Sequence, residues 1–132
     1  MACYLRAFGD GFDVDTFLAA STIEWSDVWR LGEAKRTGGA KPSEYRTSGL
    51  QIKIGEGDDF VYLLREASEF VRGNREELLR LAVDTSVEKL GVDFGLTWNP
   101  EAAMMSVTLP PEFIDLIRDL RFSVEISYYD LG

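Results

Sequence analysis

Hydrophobic and polar residues alternate strictly in two stretches, one near each end of the chain. In the run Ala2–Gly9, the residues Cys3, Leu5 and Ala7 share one parity. The alternate positions near the C-terminus are Phe122, Val124, Ile126 and Tyr128. Because successive side chains of a strand point to opposite faces, each stretch predicts a β-strand with one buried face and one wet face.

Apolar residues at helical spacing predict two consecutive helices in the middle of the chain. The first stripe covers residues 60–71, and Gly73 is expected to end that helix. Asn74 with Glu77 three residues later resembles a capping box, which predicts the start of a second helix there. The apolar stripe of this second helix continues to Leu90.

Further strands and a short helix complete the pattern. Residues 50–54 alternate and predict a strand. Residues 92–98 and 105–109 also alternate, and they predict a hairpin with its turn at residues 99–100. Pro111 suits the first turn of a short helix with an apolar stripe.

Two segments before the helical pair have weaker patterns. Residues 22–30 suit a helix, since Trp25 and Trp29 are four apart, and equally a strand, since these tryptophans share parity. Residues 33–47 are polar, contain glycines and a proline, and predict a loop.

These elements predict one α+β domain spanning residues 1–132. We expect a mainly antiparallel sheet of ferredoxin-like character, with the helices packed on one face. The opposite, wet face would then carry several large aromatic side chains. Candidate partner-binding residues on that face are Tyr4, Phe8, Glu125 and Tyr129.

Composition narrows the chemistry that this domain can perform. The 132 residues carry a formal net charge of −9, contain no histidine and include one cysteine. Without histidine, the commonest general base and metal ligand is missing, and a serine–histidine or cysteine–histidine nucleophile cannot form within the chain. The parity of Cys3 favours a small core residue. We expect no cofactor and no metal ion, and an enzyme is the less favoured class.

The same composition predicts the kind of partner and the cellular location of the chain. A surface with this charge repels phosphates, so no nucleic-acid partner is expected. No stretch is apolar enough to span a membrane, and the N-terminal residues lack the pattern of a secretory signal, so we expect a cytoplasmic protein. A basic partner protein fits the acidic balance.

The run FGDGFDVDTF at residues 8–17 is the densest group of carboxylates. Its spacing lacks the alternate ligands of a calcium loop, so we expect no metal site at Asp10, Asp13 or Asp15. A structural interpretation has Asp13 capping a helix over residues 13–18, with Phe12 and Phe17 packed beneath it. The functional alternative is a carboxylate-dependent enzyme or a small-ligand site built from these aspartates and the tryptophans Trp25, Trp29 and Trp98.

Basic residues concentrate in one segment of this acidic chain. Residues 30–53 carry six basic and two acidic side chains, a net charge of +4, so the remainder carries −13. The loop at about residues 33–47 could contact phosphate or an acidic partner, or remain solvated. Its candidate residues are Lys35, Arg36, Lys41 and Arg46.

Four stretches carry a resemblance to a known family: FGDGFDVD near the start, WRLGE at Trp29, TSGLQI before the helical pair, and VTLPPEFIDLIRDL leading into SVEISYY. Together they resemble a bacterial family, domain of unknown function four-two-seven-nine. The resemblance covers nearly the whole chain. It implies a single-domain α+β protein and no particular functional residue.

The function favoured by these observations is a non-catalytic intracellular protein-binding module. An immunity-type protein or inhibitor that blocks a basic partner is a concrete version, and a homodimer could use the same face. The alternative remains the small-ligand-binding protein or carboxylate-dependent enzyme described above.

Overall fold

A five-stranded sheet organises the residues that the computed structural model describes, which are 1–35, 43–101 and 104–130. The strands are β1 (Ala2–Gly9), β2 (Asp27–Trp29), β3 (Ser48–Glu56), β4 (Lys89–Trp98) and β5 (Ser123–Asp130). The helices are α1 (Val14–Ala19), α2 (Phe60–Gly73), α3 (Arg75–Val83) and α4 (Pro111–Ile117), with one 3₁₀ turn (Arg118–Leu120) after α4. In this part of the chain, no helix has the length and apolar character that a membrane crossing requires.

The strand order is β2-β3-β1-β4-β5, with β1 at the centre. β1 pairs antiparallel with β3 and β4, and β2 pairs antiparallel with β3. β4 and β5 are parallel, and α4 lies in the connection between them, as a parallel pair requires. The predicted α+β class with a mainly antiparallel sheet is confirmed.

The hydrophobic core lies between one face of the sheet, here called the inner face, and the helices. Cys3, Leu5 and Ala7 of β1 are fully buried there, as their shared parity predicts. α2 contacts β3, β1 and β4 through its buried stripe. Phe94 of β4 packs edge-on against Phe60, with ring centroids 5.0 Å apart.

The predicted hairpin between residues 92–98 and 105–109 is wrong. β4 pairs with β1 and β5, and residues 104–110 form no strand. Val107 and Leu109 nevertheless pack against the core. Alternation reports an extended segment with one buried side, and it carries no information about which backbone pairs with which.

The predicted boundaries of α2 and α3 also need correction. Asn74, and not Gly73, is the C-cap of α2, and its side-chain Nδ2 donates to Phe70 O at 2.9 Å. Asn74 therefore makes no capping-box bond to α3. α3 ends at Val83, because Asp84 accepts hydrogen bonds from the Ser86 backbone and hydroxyl and turns the chain. Residues 89–90, expected in this helix, belong to β4.

The weakly patterned segments also acquire definite structures. β2 occupies residues 27–29, so the strand interpretation of 22–30 is correct for its C-terminal part. Within the expected loop, the Gly32 N–H donates to Tyr45 O at 2.9 Å, and the Lys35 N–H donates to Ser43 O at 2.8 Å. Residues 32–35 and 43–45 of this loop therefore pair with each other through an isolated bridge between Ala34 and Glu44, and we call this pair of segments the arm. Two candidates of the basic loop, Arg36 and Lys41, lie outside the described residues.

Candidate functional site

The outer face of the sheet, opposite the helices, holds the four predicted partner-binding residues. Tyr4 and Phe8 alternate with the buried residues of β1, and both are half-buried. Glu125 and Tyr129 occupy the equivalent face of β5, where Tyr129 is 57% exposed. The predicted placement of these side chains is therefore confirmed, whereas their binding role stays a prediction.

A ladder of polar side chains crosses the outer face. Arg6 at its centre places Nη1 at 3.3 Å from Asp93 Oδ2 and 3.8 Å from Glu125 Oε2. On its other side, Arg6 Nε donates to the Gln51 side-chain oxygen. Gln51 Nε2 in turn donates to Asp27 Oδ2, over a long 3.4 Å. The ladder thus spans all five strands, and Asp27, at its edge, is the most weakly held of its three carboxylates.

The central carboxylates of the ladder are bound on several sides. Lys89 Nζ lies 3.1 Å from Glu125 Oε1, and the Ser127 hydroxyl donates to Asp93 Oδ1 at 3.0 Å. Asp93 is buried in spite of its charge, which fits the donors around it. Glu125 is therefore primarily a member of this network, and a partner that used it would have to compete with Arg6 and Lys89.

Aromatic rings lie directly over glycines at both ends of the outer face. A Cβ built on Gly49 would stand 2.5 Å from the Trp29 ring and 2.6 Å from Phe8 Cβ. A Cβ on Gly95 would stand 3.0 Å from the Tyr129 ring. The missing side chains leave room for these rings close to the strands, an arrangement that stabilises glycine in sheets. Of the three residues, Tyr129 is exposed, and Trp29 and Phe8 are half-buried.

An aromatic cluster continues from the sheet onto the arm. Trp29 lies 6.5 Å from Phe8 and stacks on Tyr45, with ring centroids 5.9 Å apart and planes at 25°. The Trp29 indole N–H donates to Thr47 Oγ1 at 3.2 Å, which fixes the orientation of the ring. Lys35 Nζ lies 5.7 Å from the centre of the Tyr45 ring. Elsewhere on the face, Arg6 Cζ lies 5.9 Å from the centre of the Tyr4 ring.

A cleft of about 610 Å³ opens beside this cluster, along β2 and the arm. We call it the β2 cleft. Its aromatic lining is Trp29 and Tyr45, and its charged lining consists of two carboxylates, Asp27 and Glu33. On the far side, Tyr45 also borders a second cleft, lined by Lys35 and Arg46 among others. Tyr45 therefore borders both an acidic cleft and a cleft of mixed charge, since Glu44 also lines the second one.

The α1 corner (residues 9–22), which contains the three aspartates of the FGDGFDVDTF run, is by contrast structural. Asp13 is the N-cap of α1: its oxygens accept from the Thr16 N–H at 3.1 Å and from the Thr16 hydroxyl at 2.7 Å, and these hydrogen bonds lower the pKa of Asp13. Asp15 receives a forked hydrogen bond from Arg30, which lowers the pKa of Asp15. Within residues 1–35, 43–101 and 104–130, no three carboxylates or thiols are grouped so that they could hold a metal ion.

The three tryptophans occupy three separate surroundings. Trp25 packs edge-on against Phe17, and Trp98 against Tyr128 at the end of the sheet. Only Trp29 lines the cleft. Cys3 is fully buried, and burial, with the nearby Asp93 charge, raises the pKa of its thiol far above the usual range. The predicted core role of Cys3 is confirmed.

Sequence reasoning missed Tyr45, Glu33 and Asp27 as members of one site. They come from the arm and from β2, and the pairing of the arm brings them together. The bridge between Ala34 and Glu44 makes this pairing, and the polar composition of the segment gives no sequence signal for it. No family model, curated protein or solved structure matches the chain, so the family resemblance stays a prediction.

Proposed function

We propose that this chain is a non-catalytic protein-binding module that docks a basic protein on the outer face of its sheet. The observation that carries the proposal is an aromatic-bearing sheet face on which none of the described helices packs. Tyr129 is 57% exposed, and Trp29, Phe8 and Tyr45 form a continuous aromatic surface at the other end. Aromatic anchors surrounded by polar groups are the usual composition of a protein interface.

Charge supports a basic partner. The chain carries −9 overall, and a field of this sign speeds encounter with a positively charged protein. The outer face itself is balanced, because its ladder pairs Arg6 and Lys89 with Asp93 and Glu125. We therefore assign long-range attraction to the whole chain and short-range recognition to the aromatic residues. An immunity-type inhibitor of a basic enzyme is the concrete form of this proposal.

The alternative, a carboxylate-dependent enzyme near the aspartates and tryptophans, receives no support from the geometry. The oxygens of Asp13 and Asp15 are occupied by Thr16 and Arg30. A catalytic carboxylate needs an environment that shifts its pKa toward the working pH, and the pKa values of both groups are lowered instead.

The proposal is tested by capture and titration. Immobilised protein would select basic partners from cells of the source, and each purified candidate would be titrated into wild-type and variant protein by calorimetry. Tyr129→Ala and Phe8→Ala should each weaken binding by about 1–3 kcal/mol. Tyr62→Ala is the matched control, because Tyr62 is an exposed tyrosine on α2, away from this face.

Equal affinity of wild type, Tyr129→Ala and Phe8→Ala would remove the outer face as the docking surface. The outer face could also be occupied by a second copy of this chain, and the mass of the isolated protein, measured by light scattering, tests that case. A dimer that dissociates in Tyr129→Ala would replace the foreign partner with a second copy of this chain.

A further inference from the structure

We propose that the β2 cleft is an anchor pocket for one arginine side chain of the partner. The inference rests on the proposed function and adds to it the chemistry of a specific contact. The cleft joins two stacked aromatic rings, Trp29 and Tyr45, to two carboxylates, Asp27 and Glu33, in a space of about 610 Å³. That volume accommodates a guanidinium, its methylene stem and adjoining backbone atoms.

The carboxylates of the cleft retain hydrogen-bonding capacity. Asp27 accepts from Gln51 Nε2 at 3.4 Å, which leaves most of its lone pairs open. Glu33 Oε1 lies 3.7 Å from Arg30 Nη1, and Arg30 is held more closely by Asp15, at 2.7 Å. A guanidinium entering the cleft therefore meets two acceptors that can form charge-assisted hydrogen bonds with it.

The aromatic pair suits a flat cation. A guanidinium stacks on indole and phenol rings, and its rigid fork reaches carboxylates at the same time, which an ammonium group does less well. Tyr45 already has a cation of its own chain nearby, since Lys35 Nζ lies 5.7 Å from the ring centre. Lys35 itself lines the second cleft and not the β2 cleft.

The site is assembled before any ligand arrives. Trp29 and Asp27 are held on β2 by pairing with Gly49 and Gln51 of β3. On the arm, the Tyr45 N–H donates to Glu33 O at 2.9 Å, which ties the other two residues of the site together. Because the backbone of both segments is already paired, binding has to order side chains only, which lowers its entropic cost.

The charge of the lining selects the sign of the ligand. Among the described residues, both charged side chains that line the β2 cleft are acidic, whereas the second cleft is lined by Lys35 and Arg46 with a single carboxylate, Glu44. An anion would therefore be repelled from the β2 cleft and attracted to the second one. This difference separates an arginine anchor from the phosphate contact that the basic segment alone suggests.

The first test uses Nα-acetyl-arginine amide as the probe and nuclear magnetic resonance as the readout. The Trp29 indole N–H signal, assigned through Trp29→Phe, should shift saturably with the probe. Nα-acetyl-citrulline amide has nearly the same shape without the charge, and it should bind at least about tenfold more weakly. No saturable shift of the Trp29 signal, or equal binding of the citrulline compound, would overturn the inference.

The second test neutralises the two carboxylates. The double variant Asp27→Asn/Glu33→Gln should bind the arginine probe at least about tenfold more weakly. Asp58→Asn/Glu69→Gln is the matched control, because it removes the same charge from exposed positions and should stay within about twofold of wild type. An equal loss in both double variants would assign the effect to net charge and refute a pocket.

Titration of the purified partner separates this inference from the proposed function. A partner that binds the Asp27→Asn/Glu33→Gln variant as well as it binds wild type would refute the anchor and leave the outer-face proposal standing. Binding of the arginine probe, together with a partner that ignores Tyr129→Ala and Phe8→Ala, would support the pocket and refute docking across the outer face.

Discussion

The α1 corner (residues 9–22) and the β2 cleft are both acidic, but their carboxylates differ in how closely neighbouring side chains hydrogen-bond to them. In the corner, Asp13 and Asp15 are occupied by Thr16 and Arg30. In the cleft, the contacts of Asp27 and Glu33 with other described residues are long, at 3.4 Å and 3.7 Å. The corner is conspicuous in sequence and the cleft is not.

The comparison teaches that the density of charged residues in a sequence is a poor guide to a binding site. A carboxylate whose lone pairs are filled by caps and ion pairs stabilises local structure, and its lowered pKa reports that stabilisation. A carboxylate beside an aromatic surface with open lone pairs can still bind a ligand. Changes in the corner should therefore alter stability, and changes in the cleft should alter binding.

The largest effect is expected at the start of the corner. A Cβ at Gly9 would stand 2.0 Å from the backbone oxygen of Ser86, so Gly9→Ala must displace the chain. We expect a loss of about 3 kcal/mol in the free energy of unfolding, measured with urea. Gly11→Ala is the control, since a Cβ there meets nothing within 4 Å, and its change should stay within about 0.5 kcal/mol. Similar losses in both would show that the turn needs two flexible residues and not one close approach.

The next effect concerns the residue that fastens the end of the corner to α3. Buried Glu77 accepts from the Ser21 hydroxyl and the Thr22 hydroxyl, each at 2.8 Å, and from the Thr22 N–H. Glu77→Ala leaves these donors without an acceptor, so the free energy of unfolding, measured with urea, should fall by about 2 kcal/mol. Glu76→Ala, at the adjacent exposed position, should cost less than about 0.5 kcal/mol. The affinity of Glu77→Ala for the arginine probe should equal that of wild type. A loss of affinity in this variant would show that the α1 corner and the β2 cleft are energetically coupled.

A smaller effect depends on pH. Burial alone would raise the pKa of Glu77, but hydrogen bonds from Thr22 and Ser21 outweigh it and lower that pKa in the folded state. The stabilisation is therefore complete above the unfolded-state pKa of about 4.3 and is lost as the pH falls through the folded-state value. The stability difference between wild type and Glu77→Gln should shrink over that range, as measured by thermal unfolding from pH 7 to pH 2 in steps. A constant difference would show that the charge of Glu77 is not what stabilises the contact.

The cap of α1 provides a weaker test. Asp13→Ala removes both bonds to Thr16, and the midpoint of thermal unfolding should fall by a few degrees. Asp10→Ala, which removes a neighbouring exposed carboxylate outside the cap, should leave the midpoint nearly unchanged. Calorimetric titration with calcium should give no stoichiometric heat for wild type or for Asp13→Ala. A one-to-one site in wild type that is lost in Asp13→Ala would show that the corner binds a metal ion.

The smallest effect on stability is expected in the cleft. Asp27→Asn/Glu33→Gln should change the free energy of unfolding by less than about 0.5 kcal/mol, because its contacts are long and exposed. Urea unfolding checks this, beside the binding measurement on the same protein. A loss comparable to that of Glu77→Ala would mean that these carboxylates are structural and that the two regions do not differ.

Local patterns in the sequence determined the faces of the strands and the cap of α1. The alternation in β1 was sufficient to place Leu5 inside and Tyr4 outside, because the pleat leaves no other choice once one face is buried. Asp13 was predictable as a cap because its bonds reach only three residues along the chain. The net charge of −9, which motivates a basic partner, also needs no structure.

Only the tertiary structure decided which strands pair and where a cleft opens. The parallel pairing of β4 with β5 depends on packing across α4, and alternation is the same for a parallel, an antiparallel or an unpaired extended segment. The β2 cleft depends on contacts between Trp29 and Tyr45, which lie on separate segments of the chain and meet only because the arm is paired. Such contacts arise from the balance of packing and hydrogen bonding over the whole domain, and short windows of sequence do not contain that balance.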